Sequence, residues 1–157
     1  MHGNKYENLE FLKVLNSLKW LTITGTGIKD IEPIRQKNTI ELLEIRLKTL
    51  EDISALSGME NIRWLVIDSN NLSDCSALST CTGLKKLSLS GCDKLSDLEF
   101  INGLDKLEEI ALDGTSVTNF EPLLSLKILE KVTVSEGQLD EEMLGALKDK
   151  GVTVETV

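Results

Sequence analysis

Three kinds of side chain in this sequence could carry chemistry: the cysteines, a recurring set of acids, and histidine. Cys75, Cys81 and Cys92 bring thiols, which act as nucleophiles or soft metal ligands once ionised. No two of them form the C-x-x-C spacing of a redox or zinc site, and three is an odd number for a disulfide framework. Cys75 stands in a column with Ile31 and Ile53, Cys81 in one with Met59 and Leu104, and Cys92 in a turn column that faces inward. All three therefore read as small buried hydrophobes. Asp30, Asp52, Asp74, Asp97 and Asn119 also share one column. Stacked carboxylates could hold Ca²⁺. Each, however, precedes an apolar residue, and Pro33, Ala55, Ala77 and Pro122 follow three residues after Asp30, Asp52, Asp74 and Asn119. Asp and Asn are strong helix caps and Pro is tolerated in a first helical turn, so capping explains the column without a metal. Nucleophilic catalysis needs a base beside a Ser or Cys, and the only imidazole is His2. No enzymatic activity and no cofactor is expected. Gly25, Gly91 and Gly114 fall one per turn and do not form a phosphate loop.

The elements that position these residues follow from one phrase. Leu84 to Leu89 reads L-x-x-L-x-L, and the phrase recurs at Leu18–Ile23, Ile40–Ile45, Ile62–Ile67, Leu107–Leu112 and Leu129–Val134. Its middle anchor falls at 21, 43, 65, 87, 110 and 132, a step of 22 with one step of 23, whose extra residue is placed near Asp93–Lys94. A fixed period of this length predicts stacked repeats. The alternating end of each phrase predicts a short strand, and stacked strands give a parallel sheet. Ile28, Leu50, Leu72, Leu95 and Val117 point back inward after each turn, and the acid column starts a 3₁₀ or single-turn helix on the opposite side.

The ends differ from the middle. Asn4, Tyr6 and Leu9 stand 22 residues before Thr26, Ile28 and Ile31, so the chain opens in mid-repeat. Leu9, Leu12, Leu15 and Leu18 step by three, which predicts a short helix at about 7–16 lying on the end of the core. Asp140 with Glu141 and Glu142, then Lys148, Lys150 and Gly151, give start and stop signals for a longer helix, followed by a strand at Val152–Val154. The expected organisation is one domain over 1–157: a partial repeat or cap at 4–18, repeats at 18–138, and a helical cap at 139–157.

A net charge of −9 argues against nucleic acid or anionic lipid as a partner. No apolar run is long enough to cross a bilayer, so no membrane insertion is expected. The start lacks an apolar leader segment, which favours the cytoplasm; a cell-surface or secreted location would follow if a segment precedes it.

The pattern L-x-x-L-x-L-x-x-(N/T/C)-x-I-x-D-I-x-P-L at 22 residues resembles the leucine-rich repeat proteins, in the subclass of the bacterial internalins and the nuclear regulatory subunit of protein phosphatase. The resemblance covers Asn4 to Leu129. It implies an α/β right-handed solenoid with a parallel sheet on the concave face and 3₁₀ or irregular segments on the convex side. It also implies protein binding on the concave face in place of catalysis. Where the family has an Asn bonded to backbone in the turn, this sequence has Thr26, Lys48, Asn70, Cys92 and Thr115. Only Asn70 keeps the amide. Lys48 is expected to turn outward and leave the second repeat with a looser turn.

The outward strand positions form three columns. The first is Trp20, Leu42, Trp64, Lys86, Glu109 and Lys131; the second Thr22, Glu44, Val66, Ser88, Ala111 and Thr133; the third Thr24, Arg46, Asp68, Ser90, Asp113 and Ser135. Both tryptophans stand in the first column with Leu42 between them. The expected protein-binding residues are the apolar patch of Trp20, Leu42, Trp64 and Val66, flanked by Glu44, Arg46, Asp68 and Lys86. The expected function is a non-enzymatic protein–protein interaction module; the alternative is a scaffold or sensor segment of a larger protein.

Overall fold

The computed structural model describes residues 8–25 and 27–157. His2, Asn4, Tyr6 and Thr26, together with the first residue of the helix expected at 7–16, lie outside them. Among the described residues, seven strands form one sheet in sequence order: β1 (Trp20–Thr24), β2 (Leu42–Arg46), β3 (Trp64–Asp68), β4 (Lys86–Ser88), β5 (Glu109–Ala111), β6 (Lys131–Val134) and β7 (Thr153–Thr156). Every pairing is parallel. Leu21, Leu43, Leu65, Leu87, Ile110, Val132 and Val154 stand in one register line, so β7 continues the 22-residue step. The first six of these side chains are at most 5% exposed, and the next inward column, Ile23 to Val134, is equally dry. Strand alternation sends these residues to the core, and the repeat stacks like on like.

Opposite the sheet, 3₁₀ helices at Glu32–Ile34, Ser54–Leu56, Ser76–Thr80, Glu99–Ile101 and Glu121–Ser125 complete each turn of the solenoid. A 3₁₀ turn climbs about 2.0 Å per residue, which suits a 22-residue circuit with few residues left for the return. The acid column acts from one residue before the N-cap: the N-cap positions are Ile31, Ile53, Cys75, Leu98 and Phe120, which make no side-chain cap bond, and the acid or amide ahead of each bonds the first helical N–H as an Asx turn. Oδ1 of Asp30, Asp52, Asp74, Asp97 and Asn119 accepts from the backbone N–H two residues on, at 2.6, 2.7, 2.8, 2.6 and 3.0 Å. After β6 the return is an α-helix, α1 (Glu141–Asp149), capped by Asp140, whose Oδ1 accepts from Met143 N–H at 2.8 Å.

The extra residue of the 23-step falls at Asp93–Lys94. Cys92 N–H and Thr115 N–H each reach back three residues, to Leu89 O and Leu112 O, and the next buried residue follows after three residues at Leu95 but after two at Val117. Gly91, in the turn before it, has φ +78°, a conformation that L side chains rarely adopt, and a Cβ there would meet Asp68 Oδ1 at 3.1 Å. Three expectations need correction. The Asn70 amide does not bond backbone in the turn: it is exposed and donates to Asp93 Oδ2 at 3.4 Å. Buried Ser69 serves instead, donating from Oγ to Leu50 O at 2.6 Å and accepting from Asn71 N–H at 3.2 Å. The turn of the second repeat is not looser. Lys48 does face outward, but Leu47 fills the slot, and Leu50 N–H reaches Leu47 O at 2.9 Å, against 3.0 Å for Leu95 to Cys92. Finally, the first helix is a 3₁₀ segment at Glu10–Val14 only. Leu9 and Leu12 are buried while Leu15 is exposed, because a 3₁₀ segment this short presents one edge to the core.

Candidate functional site

Among the described residues, the cysteines and the acid column are engaged in the fold. Cys75, Cys81 and Cys92 are at most 3% exposed. Burial in apolar surroundings raises all three thiols above their ordinary range, Cys81 to about 11. The Cys81 thiol donates to Leu56 O at 3.2 Å and that of Cys92 to Ile67 O at 3.5 Å. A thiol so held is neutral at pH 7 and a poor nucleophile. In the acid column, the Ser54 and Ser76 N–H groups hold the carboxyls of Asp52 and Asp74 below the usual range. Among the described residues, no group of three or more His, Cys, Asp or Glu is placed to hold a metal ion.

The outward face of the sheet carries what remains. The register sets Trp20 beside Leu42 and Leu42 beside Trp64. Neighbouring strands lie about 4.8 Å apart, so the three side chains form one apolar row. Trp20 is 74% exposed and Trp64 47%. Val66, half-buried, sits between Glu44 and Ser88. The apolar patch expected from the sequence is thus brought together. The expected polar partners are engaged within the face. Arg46 Nε meets Glu44 Oε1 at 2.5 Å, and Lys48 Nζ meets Asp68 Oδ1 at 2.5 Å. Lys86 Nζ meets Glu109 Oε1 at 2.7 Å, and that carboxylate holds the Lys86 ammonium above its ordinary range.

A groove of about 420 Å³ runs from β3 to β6. It takes in Arg46, Trp64, Val66 and Lys86 of the expected residues but not Trp20, Leu42, Glu44 or Asp68. Its floor is Ser88, Ala111 and Thr133, and its wall continues through Glu109 and Lys131. These five were not expected at the site. The signal was present in the second column, where side chains shrink after Val66 while the first column stays long. A short residue between long ones on neighbouring positions leaves a trough.

The family described as Leucine Rich repeats (2 copies) matches residues 60–103, which span β3, β4 and the 3₁₀ helix after them. The chain is similar to the crystal structure of an internalin, inlF, from Listeria monocytogenes: 26% identity over 91% of this chain, TM-score 0.78. It spans 42% of the length of that chain. It is also similar in fold to internalin C2 (inlC2) from the same organism, with 21% identity over 99% of this chain and 78% of that one, TM-score 0.72. No curated protein matches in sequence.

Proposed function

We propose that this chain, a leucine-rich repeat solenoid of internalin-like fold, binds a protein partner on the outward face of its sheet, with Trp64 as the anchor. Folds of this kind are typically interaction modules without catalytic activity. One observation carries the reading: the two tryptophans of the chain both face solvent from strands whose inward positions are already filled by Leu21, Ile23, Leu65 and Ile67. Alternation gives the rings no part in the core. Large apolar side chains left in water in one row mark interaction surfaces, and Trp is enriched among the residues that dominate binding energy. Trp64 stands where the apolar row meets the groove, so a partner lying along Ser88, Ala111 and Thr133 would bury its ring. Trp20, Leu42, Glu44 and Asp68 extend the contact toward β1.

The test is capture from a lysate of the source cell with three baits: wild type, Trp64→Ala, and Ala111→Arg, which fills the groove floor. One protein retained by wild type and lost with both variants supports the reading, given circular dichroism melts that match wild type. Equal retention by all three baits overturns it.

A further inference from the structure

The sequence holds one Asn-Gly pair, Asn102–Gly103, and it lies on the convex side of the solenoid, away from the groove. It follows the 3₁₀ helix Glu99–Ile101 as a turn. Asn102 has φ −60° and ψ 118°, Gly103 has φ +95°, and Leu104 N–H closes on Ile101 O at 2.9 Å. These are the angles of a type II turn, which needs Gly at its third position. Both residues are exposed, and a Cβ at Gly103 would meet nothing within 4 Å. The closing bond does not use the peptide in the middle of the turn. At Gly58, the same place two repeats earlier, that peptide is held, because its N–H donates to Thr80 Oγ1 at 2.7 Å. Gly103 N–H has no partner among the described residues.

A free peptide between two pinned ends can rotate, and Gly accepts φ of either sign. Rotation brings the Gly103 nitrogen round to Cγ of Asn102, and the two groups are then tethered reactants. Ser125 Oγ donates to Asn102 Oδ1 at 3.2 Å, the atom on which negative charge develops during attack at Cγ. We propose that Asn102 is a modification site that converts to aspartate and isoaspartate without an enzyme. The Gly103 nitrogen, having given its proton to solvent hydroxide, attacks Cγ. The N–Cγ bond forms, the Cγ–Nδ2 bond breaks, and Nδ2 leaves as ammonia with a proton from water. Water then opens the cyclic imide at either carbonyl. The sum is amide plus water to acid plus ammonia, with no change of oxidation state. The product undoes a joint between repeats. Asn102 Nδ2 donates to Glu99 Oε2 at 2.8 Å, while its Oδ1 ties Ser125 of the next 3₁₀ helix. A carboxylate at 102 has no donor for Glu99 and opposes it with like charge. Isoaspartate also lengthens the main chain between Ile101 and Leu104, both buried.

The experiment ages the intact, folded protein in mildly alkaline buffer and maps its peptides by mass spectrometry over time. Conversion at Asn102 is expected at least about ten-fold faster than at any other Asn of the chain, the mark of a lower barrier at one site. Both aspartate and isoaspartate appear there, and the rate rises with pH, because the attacking nitrogen must lose its proton. In hydrogen exchange the Gly103 amide opens faster than that of Gly58. Asn102→Gln, which keeps an amide but moves it one carbon away from the nitrogen, stops the conversion at this position. Asn102→Asp, which carries the product charge from the start, melts below both wild type and Asn102→Gln. Four results overturn the proposal: conversion in urea but not in the folded protein, which means the turn shields the amide; equal rates at other Asn residues such as Asn70 and Asn71; aspartate without isoaspartate, which means direct hydrolysis with no imide; or an Asn102→Asp melt that matches wild type, which means the joint does not feel the change.

Discussion

The outward column that carries Trp20, Leu42 and Trp64 on β1–β3 carries Lys86, Glu109 and Lys131 on β4–β6. The inward columns of the two halves are interchangeable: Leu21, Leu43 and Leu65 against Leu87, Ile110 and Val132, all dry. The strands also differ in length. They run five residues in the first half and three, three and four in the second, where Gly91 and Gly114 bend the backbone at positive φ just past the strands. Only the inward half of each repeat has to match its neighbour for the stack to form. The outward half is under no such demand, and so one half became an apolar shelf and the other a charged trough.

If the halves are equivalent inside, breaking either should cost the same. Leu43→Ala and Ile110→Ala are each expected to lose about 3 kcal/mol in urea unfolding, the middle of the range for a buried aliphatic truncated to Ala. A much smaller loss at Ile110 would show that the short-strand half is loosely packed.

Outside, the halves should differ. Trp64→Ala is expected to weaken partner capture by about 2 kcal/mol, roughly thirty-fold. Lys131→Ala, which removes a surface ion pair to Glu155, should cost less than about 1 kcal/mol and matter less as salt is raised. The opposite order would make the charged half the anchor.

A smaller effect separates the return segments behind β2 and β3. Asp52→Ala and Asp74→Ala should each cost about 1 kcal/mol through loss of the hydrogen bond that starts the 3₁₀ helix. Their carboxyls are held below the ordinary value of 3.8 by the N–H groups of Ser54 and Ser76. A depressed folded-state pKa contributes stability above the unfolded value, and that stability is lost as pH falls through the folded one. Wild type and variant should therefore converge below about pH 4 in acid melts. A gap that stays constant down to pH 2 would contradict that role.

The smallest expected difference lies within the apolar row. With Trp64→Phe and Trp20→Phe each leaving one emitter, acrylamide should quench Trp20 more readily than Trp64, in keeping with exposures of 74% and 47%. Blue-shifted, unquenched emission from either ring in a monomer would remove it from the proposed surface.

The period, the inward columns, the burial of Cys75, Cys81 and Cys92, the acid column and the Trp20–Leu42–Trp64 row could all be read from residue types at a 22-residue step. Each depends on strand alternation or on a local backbone bond, which repeat with the sequence. The exchange of Ser69 for Asn70 and the short 3₁₀ segment at Glu10–Val14 could not. They turn on where the chain reverses phase and on which carbonyl a neighbouring repeat offers. Leu50 O, for instance, lies one repeat before the Ser69 hydroxyl that binds it.

The groove belongs to the assembled sheet. Ala111 and Ser88 are ordinary small residues until Trp64, Lys86 and Lys131 are stacked around them by register. Side-chain direction is local and so is written in the order of residues. The depth of a trough depends on what neighbouring strands bring alongside, and that exists only after the repeats have stacked.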